Sequence, residues 1–307
     1  MKVHQVTLTV ITPFFNSFKF LKNHLERSKA LVKDLPIEFI YIDDGSVDKS
    51  YYYLKKKIRG FNRIRVYKLK KNFGPGSARN LGIKKSKSSN IIFLDCDDYL
   101  IKKGLNELLK YLSVKRSFDL IFFNFIKKNF LNYNLAKKYL SKISLIKNFL
   151  RLELDMCPNF YLYNKNFLTK NSIYFHKGIY EDINFVLKCF VKQKKIIRLY
   201  YTVYKKNITK NSITNSYTDR HLVDFIKSSI RKVKYFNTNI KNKIKIVKTK
   251  DLQYGLRGDY FFANKILNNI IKSKYDLNYI NINFKKIINS QFKSITKYDE
   301  FTKKNLF

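Results

Sequence analysis

Four short apolar runs, at residues 6–12, 37–42, 64–69 and 91–94, punctuate the first hundred residues, with helical stretches between them. Each reads as a strand, and the last, Ile91-Ile92-Phe93-Leu94, is four apolar residues in a row, which reads as a strand buried on both faces. After the first run, Phe18, Leu21, Leu25 and Val32 recur at helical spacing, with Asn16 or Ser17 available as the N-cap. Val47, Leu54 and Ile58 make one face of a second helix, and a third follows Asn80. Strand and helix in strict alternation predict an α/β fold with a mostly parallel, doubly wound sheet. In such sheets a ligand sits beyond the carboxyl ends of the strands.

Each of those ends carries a distinctive segment: Thr12-Pro13-Phe14-Phe15-Asn16, Asp43-Asp44-Gly45-Ser46, Asn72-Phe73-Gly74-Pro75-Gly76-Ser77-Ala78-Arg79-Asn80 and Asp95-Cys96-Asp97-Asp98. The last is the most informative. An Asp-x-Asp at the end of a buried strand sets acidic oxygens at a sheet edge, where a hard divalent cation bridges them to phosphate. The plain alternative is an aspartate turn capping the helix expected over 102–112. Asp43-Asp44-Gly45-Ser46 has an equally plain alternative, since Asp-Gly is a common turn dipeptide. The glycine-rich stretch from Gly74 imitates the dinucleotide fingerprint, but Arg79 occupies its last glycine position and Pro75 sits in the turn. Asp95 also comes too early for the acid that this fingerprint requires ~20 residues on, which argues against a dehydrogenase.

The second half is less regular. Residues 120–126 read as a strand, 140–154 as a helix, 159–164 as extended and 196–204 as a strand running into a polar loop over 205–214. Ile183, Val186, Leu187, Phe190 and Val191 form an amphipathic helix entered through Glu181-Asp182. From about 216 the chain is basic, helical and rich in Asn and Lys, with weak breaks at Gly255 and Gly258. The expected division is therefore a domain over 1–215 and a basic helical region over 216–307, serving acceptor or membrane association. His4, His24, His176 and His221 are isolated and read as surface or packing residues, His176 and His221 being the two nearest to chemistry.

Hydrophobic residues make up 45% and aromatic residues 16% of the chain, which excludes disorder. No apolar run approaches the ~20 residues of a membrane helix, and the N-terminal run lacks a cleavage-site pattern. Cys96, Cys157 and Cys189 are scattered without metal spacing, which suits a reducing compartment. A cytoplasmic protein is expected. The formal charge of +41 is spread along the chain. It suits a nucleic acid or an anionic membrane surface. It also suits the composition of an AT-rich genome, with abundant Lys, Asn, Ile, Phe and Tyr beside 9 Gly, 4 Pro and 0 Trp.

Taken together and in order, the four segments and Glu181-Asp182 resemble the bacterial family 2 glycosyltransferases, over roughly residues 5–214. The resemblance implies a GT-A fold, Rossmann-like with a mostly parallel sheet, a nucleotide-sugar donor (UDP-linked), a divalent metal (Mn2+ or Mg2+) and inversion at the anomeric carbon. It sets Thr12, Pro13 and Phe14 against the nucleotide base and Asp43 or Asp44 at the uracil edge. Arg79 meets either the nucleotide or an acid such as Asp95. Asp95 falls at the ribose or the metal, Asp97 is the direct metal ligand, and Asp98 assists or caps a helix. Asp182 matches the family's general base, with Glu181 accessory. Tyr204–Thr214, ending Asn211-Ser212-Ile213-Thr214, resembles the family's closing motif that follows the catalytic domain, with lysines where arginine is usual. The implied acceptor is a surface glycan (lipopolysaccharide, lipooligosaccharide, capsule or lipid-linked oligosaccharide), reached at the inner face of the cytoplasmic membrane. No nucleic-acid partner is expected. The competing class is a non-catalytic basic protein binding nucleic acid or membrane.

Overall fold

A computed structural model describes residues 6–114, 117–127, 130–132, 141–207, 218–244 and 247–273. The chain forms two compact units, Met1–Leu140 with Cys157–Thr209, and Ser141–Met156 with Lys210–Phe307. The segment around 141–156 thus groups with the C-terminal helices, although the sequence expectation assigned it to the first domain.

In the first unit, β1 (Leu8–Phe14), α1 (Phe18–Asp34), β2 (Ile37–Asp43), α2 (Ser50–Lys57), β3 (Ile64–Lys68), α3 (Pro75–Lys85) and β4 (Asn90–Phe93) alternate as expected. The four strands pair in parallel in the order β3-β2-β1-β4. All seven residues of β1 and all seven of β2 are buried, as in a sheet covered on both faces. β1 runs two residues further than its apolar run. Pro13 and Phe14 stay in the ladder opposite Ile42 and Asp43, and the Asp44 amide donates to the Phe14 carbonyl at 2.8 Å. Val47 is not on the face of α2; it precedes the helix and is 89% exposed.

Beyond β4 the sheet becomes mixed. β5 (Tyr99–Leu100), α4 (Lys102–Ser113), β6 (Leu120–Lys127) and β7 (Phe130–Asn132) come next in this unit. After α5 (Lys142–Leu150), which belongs to the second unit, come β8 (Tyr161–Asn164), α6 (Lys165–Lys170), α7 (Asp182–Lys192) and β9 (Ile196–Lys206). β8 lies antiparallel between β4 and β6, β9 is parallel to β6, and β5 and β7 add antiparallel edges. The mixed α/β sheet flanked by helices bears out the expected fold class. Phe93, Tyr163, Phe175 and Phe185 form one aromatic cluster that packs α7 onto β4 and β8, with the Phe175 and Phe185 rings stacked at 3.7 Å.

The second unit contains α5, α8 (Asp219–Asn239) and α9 (Thr249–Ser273). The Ser141 side chain caps α5 by accepting from the Ser144 amide at 3.1 Å. Between α8 and α9, the buried Lys232 Nζ donates to Asp259 Oδ2 at 2.5 Å, and Ser229 Oγ donates to the same oxygen at 2.8 Å. Gly255 and Gly258 do not break the chain; both lie inside α9. A Cβ on Gly255 would stand 1.7 Å from the Leu150 carbonyl oxygen, so its hydrogen is what lets α5 approach. No helix among the described residues is long and apolar enough to cross a membrane.

Candidate active site

The parallel half of the sheet presents its carboxyl ends together. At the end of β1, Asn16 takes a positive φ of 46° and its Oδ1 accepts from the Val47 amide at 3.0 Å. The Asn16 amide donates to Ser46 Oγ at 2.8 Å, which ties the β1 loop to the β2 loop. Asp43 is fully buried; its Oδ1 accepts from the Ser46 amide at 2.8 Å, and Lys68 Nζ stands 3.5 Å from its Oδ2. Thr12 Oγ1 and Asp43 Oδ2 are buried without a hydrogen bond, leaving polar capacity at the ends of these strands. Asp44 is otherwise engaged. Its two carboxylate oxygens accept from the Phe73 and Gly74 amides at 2.9 and 2.8 Å, holding the loop that leads into α3.

The acids after β4 meet the acids before α7 through one residue. Arg79, buried on α3, donates from Nη1 to Glu181 Oε1 at 2.5 Å and from Nη2 to Asp95 Oδ1 at 3.1 Å. Of the two roles open to Arg79 in the sequence, the structure places it between acids. Burial works against its charge, but Asp95 and Glu181 outweigh that and raise its pKa. The guanidinium also lies over the rings of Phe93 and Phe175 at 6.0 and 5.5 Å. Glu181 is 5% exposed, and burial pushes its carboxyl up against the pull of Arg79. Asp182 opens α7, half-buried, with Oδ1 accepting from the Ile183 amide at 2.9 Å. Its charge acts on both Arg79 and Glu181.

Asp95 remains 31% exposed, and its second oxygen accepts from Asn159 Nδ2 at 2.8 Å. The same Asn159 nitrogen donates to Tyr204 Oη at 3.0 Å, and Tyr204 donates to Asp98 Oδ2. Asp98 Oδ1 accepts from the Asn207 amide at 2.7 Å. Asp98 therefore does not cap α4, whose N-cap Ile101 has no side-chain hydrogen bond. Its carboxylate ties the β4 end to the β9 end instead. Burial, then the charges of Asp95 and Asp97, push the Asp98 carboxyl up to about 8. Asp97 lies beside it, its carbonyl accepting from Asn207 Nδ2 at 2.5 Å.

Asp95, Asp97 and Asp98 offer carboxylate oxygens, and their mutual repulsion is of the kind a hard cation relieves. Among the described residues no three His, Cys, Asp or Glu side chains close around one point. A cation here would have to share its shell with donor phosphates, as magnesium sites commonly do. Burial pushes the Cys96 thiol, between the acids, up to about 12, against a hydrogen bond from Ser17. None of the three cysteines forms a disulfide.

Two of the histidines serve packing and capping. His24 is buried in the core of the first unit, and His221 Nδ1 meets the Thr218 hydroxyl at 2.8 Å in the capping box of α8. His4 and the segment Asn211-Ser212-Ile213-Thr214 lie outside the described residues. Asn159 is a site residue that the sequence did not suggest, and Tyr204, which opens the stretch resembling the closing motif, had no role of its own there. Their individual sequence signal is a polar residue at a strand end, which is too common to single them out.

The family model described as glycosyl transferase family 2 matches residues 9–177, ending just short of Glu181. A cholesterol galactosyltransferase of Borreliella burgdorferi is 28% identical over 216 residues, which are 63% of this chain and 58% of that protein. The Staphylococcus aureus poly(ribitol-phosphate) beta-N-acetylglucosaminyltransferase TarS is 26% identical over 199 residues, covering 61% of this chain and 33% of TarS. The chain spans about a third of TarS and 30% of an uncharacterised Haemophilus influenzae glycosyltransferase. Among solved structures, S. aureus TarS 1-349 in complex with UDP-GlcNAc superposes with a TM-score of 0.60 at 17% identity, over 95% of this chain and 88% of that one. The Pyrobaculum calidifontis mannosyltransferase PcManGT, in complex with GDP-Man and Mn2+, gives 0.53 at 11% identity, over 97% and 83%. These likenesses establish a shared fold.

Proposed function

Because the chain belongs to glycosyl transferase family 2, we propose that it moves a sugar from a nucleotide-diphosphate donor to an acceptor hydroxyl, inverting the anomeric carbon in a single displacement. The observation that carries this reading is the Arg79 bridge, which ties Asp95 at the end of β4 to Glu181 at the start of α7. One acid of each pair is engaged there, while Asp97 and Asp182 flank the bridge on its two sides. A donor diphosphate reads as held on the β4 side, with Thr12, Pro13, Phe14 and Asp43 toward its base.

Asp182 is then the general base. It takes the proton of the acceptor hydroxyl as that oxygen bonds to the anomeric carbon, and the bond to the nucleoside diphosphate breaks on the opposite face. Glu181 is not the base in this reading, because its carboxylate is buried against Arg79. Asp97 with Asp95 would hold Mn2+ or Mg2+, which when bound neutralises charge on the departing diphosphate. A UDP-linked donor fits the TarS likeness. A surface glycan or lipid-linked glycan is the acceptor class of this reading, while the names of the relatives give two other hydroxyl carriers, poly(ribitol-phosphate) and cholesterol; an anionic membrane fits the net charge of +41.

A panel of nucleotide sugars, scored by thermal stabilisation with Mn2+ and with EDTA, tests the donor class. NMR of the product tests inversion. Stabilisation by a uridine or guanosine diphosphate sugar only with metal, and a product of inverted configuration, is expected. Full turnover in excess chelator removes the metal from the reading, and a retained configuration removes the single displacement.

A further inference from the structure

The glycine-rich stretch before and within α3 imitates a phosphate-binding loop, yet its close contacts are with protein. Gly74 has φ 94°, and a Cβ there would stand 2.5 Å from the Gly178 carbonyl oxygen. A Cβ on Gly76 would stand 2.5 Å from Glu181 Cγ, 2.7 Å from the His176 carbonyl oxygen and 2.8 Å from Phe175 Cβ. The Gly178 amide donates to the Phe73 carbonyl at 3.3 Å. Asn80 holds the backbone of Phe175 from both sides: its Nδ2 donates to the Phe175 carbonyl at 2.9 Å, and its Oδ1 accepts from the Phe175 amide at 3.0 Å. Arg79 completes the set at Glu181.

Five residues of one segment therefore grip residues 175–181, at Phe175, His176, Gly178 and Glu181, and Asp182 is the next residue in the chain. We propose that the 73–80 segment is a seat for the segment that delivers Asp182, and that Gly76, Arg79 and Asn80 are positioning residues for the general base. The proposal rests on the reading of Asp182 as base. The physical reason is reach: a base acts only within about 2.6–3.2 Å of the proton it takes, and small misplacements of such groups cost about 10²-fold in rate. Residues 173–181 include Tyr180 with φ 61° and Gly178 with φ 103°, so the backbone here needs outside support to hold one path. The seat supplies it from a helix that also carries the donor-side link to Asp95.

The test compares Asn80→Ala, Gly76→Ala and Asp182→Asn with the parent, in the full chain with Mn2+. Three readouts are used: UDP affinity by calorimetry, amide exchange across 173–183, and UDP release from whichever nucleotide sugar stabilises the parent. For a seat, both α3 variants bind UDP within about 2-fold of the parent, exchange faster at 173–183, and turn over about 10- to 100-fold more slowly with little change in donor KM. A phosphate-binding loop would give the opposite split, with UDP affinity lost, and would overturn the proposal. So would normal turnover in Asn80→Ala beside an inactive Asp182→Asn. Normal turnover in Asp182→Asn instead overturns the base reading itself, and unchanged exchange at 173–183 in Asn80→Ala then overturns the seat independently. Should Gly76→Ala fail to fold, Asn80→Ala, which adds no atoms, carries the test.

Discussion

Asp182 and Glu181 are neighbours in sequence with different environments, and single substitutions separate them. Asp182→Asn keeps the acceptor oxygen used by the Ile183 amide but removes the proton acceptor. Its kcat should fall about 10²–10⁴-fold while UDP affinity is unchanged; near-normal kcat would remove Asp182 from the chemistry. Glu181→Leu leaves the Arg79 charge buried with Asp95 alone. Removing one partner of a buried pair costs about 3–5 kcal/mol, and chemical denaturation should show a loss of that order, reduced when Arg79→Met is added. A loss that stays additive in the double variant would mean that the contact contributes nothing. His24, on which the charge of Asp95 also acts, offers a separate stability test. Burial, then the charge of Arg27, lowers its pKa from 6.5 to about 4, with Tyr41 Oη 2.8 Å from Nδ1. Between those values the unfolded chain binds the proton and the folded one does not, so stability is full above pH 6.5 and falls toward pH 4. The total is on the order of 3 kcal/mol. The denaturation midpoint of His24→Leu should depend less on pH in that window than the parent's, and parallel curves would exclude His24 as the cause. The acids were legible in the sequence because each ends an apolar run or starts a helix. Their partners were not. Arg79 and Glu181 are 102 positions apart, and Asn159 reaches Asp95 only because β8 runs antiparallel to β4, bringing its start to that edge.

At the scale of elements, the parallel strands were readable because short apolar-rich runs end on turn segments; β1 and β2 are buried along their whole length, whereas β3 is mostly half-buried. β5 and β7 were not, since two- and three-residue edge strands have no periodicity to detect. The helix boundaries near Gly255 failed for a different reason. Local propensity treats glycine as a weak point, whereas packing treats it as a clearance. The two views predict opposite signs for Gly255→Ala. Propensity alone gives a gain of about 1 kcal/mol. The 1.7 Å approach of the missing Cβ to the Leu150 carbonyl oxygen predicts a net loss, because backbone cannot move aside as a flexible side chain does. Thermal unfolding of the full chain checks the sign, and a raised midpoint would show that α5 yields without cost.

At the scale of the whole molecule, the charge of +41 asks for a partner or a compositional cause. If the lysines face an anionic bilayer, vesicles containing phosphatidylserine should bind the protein at low ionic strength and release it as salt rises past the point where the Debye length is ~10 Å. Neutral vesicles should not bind. Equal indifference to both would leave genome composition as the account, and salt-sensitive capture of random oligonucleotides in their place would favour the nucleic-acid class. The residue-level contacts impose a condition on chimeras as well. Gly76, Arg79 and Asn80 meet Phe175, His176 and Glu181 across nearly a hundred intervening residues. A crossover anywhere between residues 80 and 175 would pair one parent's seat with the other parent's base segment. Functional hybrids of this chain with its relatives should therefore have both segments from the same parent, so that the unit of inheritance here is discontinuous in the gene.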